Sequence, residues 1–263
     1  MLAHGYLAGS RVRVQQLRRL ESLDAFAQWL AEPGEWLGGF DLPFGLPREL
    51  VQALGCPLEW EPCVRHYAAL DRTRIRALFK GFCDARPAGG KFAHRSTDRP
   101  AGSSPSMKWV NPPVAYMLHA GVPLLLDAGV YLPGLQPIPA TLGHAAKIAV
   151  EAYPGLLARE VLGRRSYKSD EKAKQTPERQ HHRHELVQAL ERGHTTLGLA
   201  LDVDAVVRDV LVQDASGDSL DAVLCLLQAA WASVRGAPLY GLPADLDRLE
   251  GWIITAGATP VPV

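Results

Sequence analysis

Two stretches of this chain share one grammar, and roughly a hundred residues separate them. Trp36-Leu-Gly-Gly-Phe-Asp41-Leu-Pro43 and Lys147-Ile-Ala-Val-Glu151-Ala-Tyr-Pro154 are each a short apolar run that reaches a carboxylate and then a proline. Such a run predicts a buried strand, and the proline marks its end because it lacks the N–H that a central ladder needs. Two buried strands joined by so long a connection can lie side by side in parallel, since a parallel pair requires a crossover. Their C-terminal ends then place Asp41 and Glu151 on one edge, where open α/β sheets bind ligands.

The flanking segments fill in the frame. Residues 11–20 open on a period-two alternation, and Ala8-Gly9-Ser10 before them predicts a hairpin over 2–17. Leu23, Phe26, Trp29 and Leu30 carry helical spacing between an N-cap at Ser22 and a stop at Pro33-Gly34. The connection at about 46–146 predicts short helices at 48–54, 62–70 and 72–84, then a loop from Arg86 to Pro105 long enough to carry function. A polar helix is expected near 170–192. The segment from Ser216 to Ala232 reads as a helix apolar on almost every side and therefore buried, with Asp221 one turn in, where a carboxylate needs a partner or a cation. Glu250-Gly-Trp-Ile-Ile-Thr255 predicts a short last strand. The expectation is a single α/β domain over 1–263, a mixed sheet flanked by helices.

Charge narrows the function. Twenty-eight Lys and Arg balance 28 Asp and Glu, so affinity cannot rest on bulk charge and any nucleic-acid contact must be local. The N-terminus has no basic region followed by an apolar one, which predicts a cytoplasmic protein. The apolar stretch Val114–Leu135 is broken by His119, Pro123, Asp127 and Pro133, so no membrane segment is expected. Cys56, Cys63, Cys83 and Cys225 form no Cys-x-x-Cys pair and read as buried small hydrophobes. Gly89-Gly-Lys91 is not a phosphate loop: Ala85 stands where the first glycine is needed and Phe92 where Ser or Thr would hold magnesium. No Gly-x-Ser-x-Gly elbow supports serine hydrolysis. His181-His-Arg-His-Glu185 reads as a solvated helix rather than a metal site, and His4, His66, His119 and His144 stand alone.

Asp41, Glu151, Asp218 and Asp221 form the leading constellation. Carboxylates gathered at one edge repel unless they share a hard cation, and Mg²⁺ or Mn²⁺ takes oxygen ligands and bridges phosphate. Asp41, Glu151 and Asp221 are the candidate metal ligands, with Asp218 in support; two ions about 4 Å apart would serve phosphodiester hydrolysis. The alternative is local capping, with Asp218 as an N-cap, Asp221 at N3, and Asp41 closing the turn before Pro43. Lys91, His94, Arg95, Arg99 and Lys108 are candidate phosphate contacts on the loop, aided by Ser103 and Ser104, with Lys168 a further one near a helix start. Their alternative is a solvated surface loop.

The blocks Gly39-Phe-Asp-Leu-Pro-Phe-Gly-Leu-Pro47, Glu151-Ala-Tyr-Pro154 and Ser216-Gly-Asp-Ser-Leu-Asp-Ala222, with Glu250-Gly-Trp-Ile253 and His94-Arg-Ser-Thr-Asp-Arg99, resemble the domain-of-unknown-function family 429 over nearly the whole chain. That family is classed as RNase H-like nucleases. The resemblance implies a five-stranded RNase H-like core, with the 46–146 insertion between its fourth and fifth strands. It also implies acidic residues on the first strand, at the end of the fourth and on the last helix. Asp41 matches the fourth-strand position, and Asp218 or Asp221 the last-helix position. The activity implied by the resemblance is that of a Mg²⁺- or Mn²⁺-dependent nuclease, or, with a degenerate site, of a module that binds nucleic acid or protein without cleaving. Family members open on a Gly-Ile-Asp strand in mid-sheet that has no counterpart here, so an in-frame strand upstream of Met1 is expected and the chain without it should be nearly inactive. DNA against RNA and the oligomeric state stay open.

Overall fold

The computed structural model describes residues 1–139 and 146–259; His144 lies outside them. A hairpin opens the chain, β1 (Leu2–Ala8) antiparallel to β2 (Arg11–Arg18), with Val12 and Val14 buried on one face as the alternation requires. Helix α1 (Leu23–Ala31) starts where expected, its first turn capped by the Ser22 hydroxyl, which accepts from Ala25 N–H at 3.0 Å. Strand β3 (Trp36–Phe40) pairs in parallel with β4 (Lys147–Glu151), in a register that sets Phe40 opposite Glu151.

Between β3 and β4 the insertion forms α2 (Arg48–Ala53), α3 (Trp60–Ala68), α4 (Arg72–Asp84), the single turn α5 (Asp98–Ala101) and α6 (Val114–Asp127). After β4 come α7 (Pro154–Leu162), α8 (Pro177–Glu191), the short strand β5 (Ala200–Asp202), α9 (Ala205–Gln213) and α10 (Asp218–Arg235). The sequence pattern did not reveal α5, α6, α7, α9 or β5. Residues 250–255 form no strand; Ile253 makes a single parallel bridge to Glu151. No helix among the described residues is long and apolar enough to cross a membrane.

The fold is α/β, three layers deep, and strand alternation divides its core. Ile148 and Val150 of β4 pack with α7, α8 and α10, while Ala149 between them joins the opposite core of α2, α3, α4 and α6. On β3, Trp36 and Phe40 belong to the insertion core and Leu37 to the α10 core. Gly39 lies on that α10 face so closely that a Cβ would come within 2.5 Å of the Cys225 carbonyl oxygen.

The sheet is not continuous. Strands run β1-β2-β5 in one piece and β3-β4 in another, and α10 packs beneath both. Replacing Gly39 with alanine should push β3 off α10 at a cost of about 1–3 kcal/mol, the range for overpacking a tight core. Urea denaturation of Gly39→Ala measures it, and an unchanged midpoint would contradict the close approach.

Candidate functional site

Alternation at the end of the parallel pair sends the two leading carboxylates different ways. Glu151 continues the face of Ala149 and enters the insertion core; Asp41 follows Leu37 and Gly39 onto the α10 side.

Glu151 is buried and fully engaged. Arg95 donates to it through both terminal nitrogens, at 2.6 and 2.8 Å, and the Phe44 N–H donates at 2.9 Å. The same guanidinium donates to Asp98 at 3.0 Å and to the Glu250 carbonyl at 3.1 Å. Burial alone would weaken the charge on Arg95, but Glu151 and Asp98 outweigh it and hold the guanidinium above its ordinary range. Glu250 ties the surroundings together, accepting from the N–H groups of Arg48 and Ser96 and from the Ser96 hydroxyl.

Two expectations are corrected here. Arg95 is 2% exposed, so it is a structural cation and not a phosphate contact. Glu151 has its oxygens committed and is not open to a metal ion. The loop carrying Arg95 is sewn onto the sheet edge there, which a solvated surface loop would not be.

Asp221 sits in the first full turn of α10 and has found its partners. The Tyr167 hydroxyl donates to one oxygen and the Lys168 ammonium to the other. Gly217, at φ 76°, precedes the helix, and a Cβ there would come 2.7 Å from the Lys168 Cβ; glycine lets Lys168 lie over the helix start. Burial raises the Asp221 carboxyl, opposed by Lys168 and Tyr167. Lys168, penalised by burial, is held above its ordinary range by Asp221. Lys168 is therefore committed to Asp221, against its expected role as a phosphate contact, although its side chain remains 43% exposed. Asp218 stands at the rim, 3.7 Å from Arg19. It is not the N-cap, a place that Gly217 takes.

Asp41 differs from both. Among the described residues its carboxylate accepts no hydrogen bond and forms no ion pair. It lines a trough of about 430 Å³ with Asp218, Asp221, Ala222 and Cys225, and also a smaller cavity of about 90 Å³ with Arg95, Ser103, Ser104 and Glu151. Enclosure by the walls, then Asp221 and Glu151, push its carboxyl up to about 7, with Lys168 working the other way. Solvent in the trough reaches the side chain, and that screening keeps the energetic consequence small.

The remaining loop residues separate. Lys91, His94 and Lys108 meet around a hollow of about 390 Å³ that Phe92 also lines, on residues distinct from those of the trough. Arg99 is exposed on α5 and does not line it. His182 and Arg183 of α8, expected on a solvated face, are buried: His182 Nδ1 contacts the Ser166 carbonyl, and Arg183 donates to the carbonyls of Val212 and Tyr167. The sequence pattern assigned no role to Asp98, Arg48 or Glu250. Asp98, three residues after Arg95, was the one visible signal.

The donor set does not fit a two-ion centre. Asp41 is available, Asp221 is paired with an ammonium, and Glu151 faces a guanidinium; among the described residues no group of three His, Cys, Asp or Glu could hold a metal ion. No family model, curated protein or solved structure matches the chain.

Both kinds of carboxylate can be probed. Arg95→Met leaves Glu151 and Asp98 as buried, uncompensated charges and should cost about 3–5 kcal/mol in denaturant unfolding. Asp41 binds its proton more tightly folded than unfolded, so its contribution to stability falls as pH rises from about 4 towards 7. Across pH 5 to 8 the Tm of Asp41→Asn should therefore drop by less than that of the parent; parallel profiles would show an ordinary carboxyl.

Proposed function

We propose that this chain is an RNase H-like module, of the kind found in the domain-of-unknown-function family 429, that binds the backbone of nucleic acid without cleaving it. The hollow of Lys91, His94 and Lys108 beside Phe92 carries this reading. Cationic side chains around an aromatic ring suit a single strand, the cations tracking phosphates and the ring stacking a base. The patch is local, as a chain with balanced charge requires. The paired states of Asp221 and Glu151 support binding over hydrolysis, because two of the three carboxylates that a phosphoryl-transfer centre would use are already neutralised by protein cations, which leaves Asp41 alone.

Metal-dependent phosphodiester hydrolysis is the second reading, favoured by the unpartnered Asp41 at the sheet's ligand-binding edge. It needs a further carboxylate beside Asp41 and Asp221.

Fluorescence anisotropy with labelled 20-nucleotide single strands of DNA and RNA, between 50 and 200 mM salt, tests the first reading. Lys91→Ala with Lys108→Ala should weaken binding at least tenfold and lower the salt slope by about 1.4, roughly 0.7 for each phosphate contact on a single strand. The same strands incubated with Mg²⁺ or Mn²⁺ should remain intact. Cleavage that Asp41→Asn abolishes would establish hydrolysis instead, and affinity that is indifferent to the double substitution would remove the hollow from the interface.

A further inference from the structure

Strands β1, β2 and β5 bury one face and leave the other in solvent. Val12 and Val14 of β2 and Leu201 of β5 point into the core of α8 and α10, so alternation turns Arg11, Arg13 and Asp202 outward. Register adds the rest. Tyr6 lies opposite Arg13, Ala8 opposite Arg11, and His4 opposite Gln16, with Arg18 at the far end of β2. Residues directly opposite in an antiparallel pair share a face. His4, Tyr6, Arg11, Arg13, Gln16 and Arg18 are all exposed.

An antiparallel sheet can turn an ordinary polar face to water, but two features set this one apart. The first is charge. Residues 1–20 hold four arginines and no Asp or Glu, in a chain whose 28 basic and 28 acidic residues balance overall. Two carboxylates from elsewhere reach the face, Asp202 at 3.8 Å from Arg13 and Glu32 at 3.2 Å from Arg18. Both pairs are solvent-exposed and therefore weak, and Arg11 forms no ion pair among the described residues. The second feature is a ring. Tyr6 is 46% exposed, and among the described residues neither its ring nor its hydroxyl has a partner. It stands across from Arg13, which lies about 6.7 Å along β2 from Arg11.

We propose that this sheet face is a platform for single-stranded nucleic acid, with a base stacked on Tyr6 and backbone phosphates held by Arg11, Arg13 and Arg18. The choice of ligand rests on the nucleic-acid binding proposed for the chain, but the surface is a separate one: none of its residues lines the hollow of Lys91, His94 and Lys108. Guanidinium groups spaced along a strand suit a linear row of phosphates, since each presents two donors to one phosphate. An open ring in their midst suits an unpaired base, because every base has a face to stack. Sheets with exposed aromatic side chains bind single strands by this division of labour, whereas a duplex keeps its bases paired and offers the ring nothing.

Fluorescence anisotropy with fluorescein-labelled 20-mers of deoxythymidine and of uridine tests the platform, the two arms separating DNA from RNA. Tyr6→Ala should weaken binding at least fivefold, and Tyr6→Phe should bind as the parent does, since the ring and not the hydroxyl stacks. Arg11→Gln with Arg13→Gln should lower the salt slope by about 1.4, roughly 0.7 for each phosphate contact. A 20-base-pair duplex should bind at least tenfold more weakly than the better strand, and NMR titration with that strand should shift the amides of Tyr6, Arg11 and Arg13. If Lys91→Ala with Lys108→Ala abolishes binding while the Tyr6 and arginine substitutions change neither affinity nor slope, the platform is overturned and the hollow stands. The opposite pattern would keep the platform and remove the hollow. Equal affinity for the duplex would overturn the stacking role of Tyr6 and the platform with it, and absence of saturation by either strand at 1 mM would overturn the platform together with nucleic-acid binding.

Discussion

One guanidinium holds the insertion against the sheet. Arg95 reaches Glu151 at the end of β4, Asp98 in its own loop and the carbonyl of Glu250, so three segments far apart in sequence meet on a single buried cation. A charge taken out of water is tolerated only where every donor finds an acceptor. Those acceptors exist only when the loop lies across the strand end and residues 247–254 fold over it. Phe44, Arg48 and Ser96 add their N–H groups to the carboxylates of Glu151 and Glu250, which clamps the chain leaving Asp41.

That clamp explains why carboxylates on one sheet edge do not make one site. Glu151 is spent on cohesion, on the insertion side. Asp221 is spent on Tyr167 and Lys168, which fasten the segment after α7 to the start of α10. Asp41 is left between them with a raised proton affinity and an open trough beside it. Chemistry at this edge then depends on what Asp41 meets in the trough.

The loop of residues 86–108 has two faces, and they do different work. Arg95, Ser103 and Ser104 turn inward to the cavity that Asp41 lines, whereas Lys91, His94 and Lys108 gather outside around their own hollow. Cationic residues a few positions apart on one loop therefore divide into structural and solvent-facing sets, according to which side of the chain each occupies.

Much of the frame was legible locally. Period-two and apolar runs located β1 to β4, Ser22 and Pro33 bounded α1, and the apolar girth of the segment after Ser216 marked α10 as buried, because these signals act between residues near in sequence. The repeated run-carboxylate-proline pattern was enough to set β3 beside β4 with Asp41 and Glu151 on one edge. Beyond the reach of local pattern were α5, α6, α7, α9, β5 and the partner of each charge. Register decided the partners: Phe40 opposite Glu151 sends that carboxylate to Arg95, and one residue beyond the strand Asp41 falls on the α10 face. A shift of one residue exchanges faces, and nothing in either strand's own sequence records its alignment with the other. The tertiary structure alone settled which carboxylates are neutralised and which remains open, since a buried charge is defined by what packs around it.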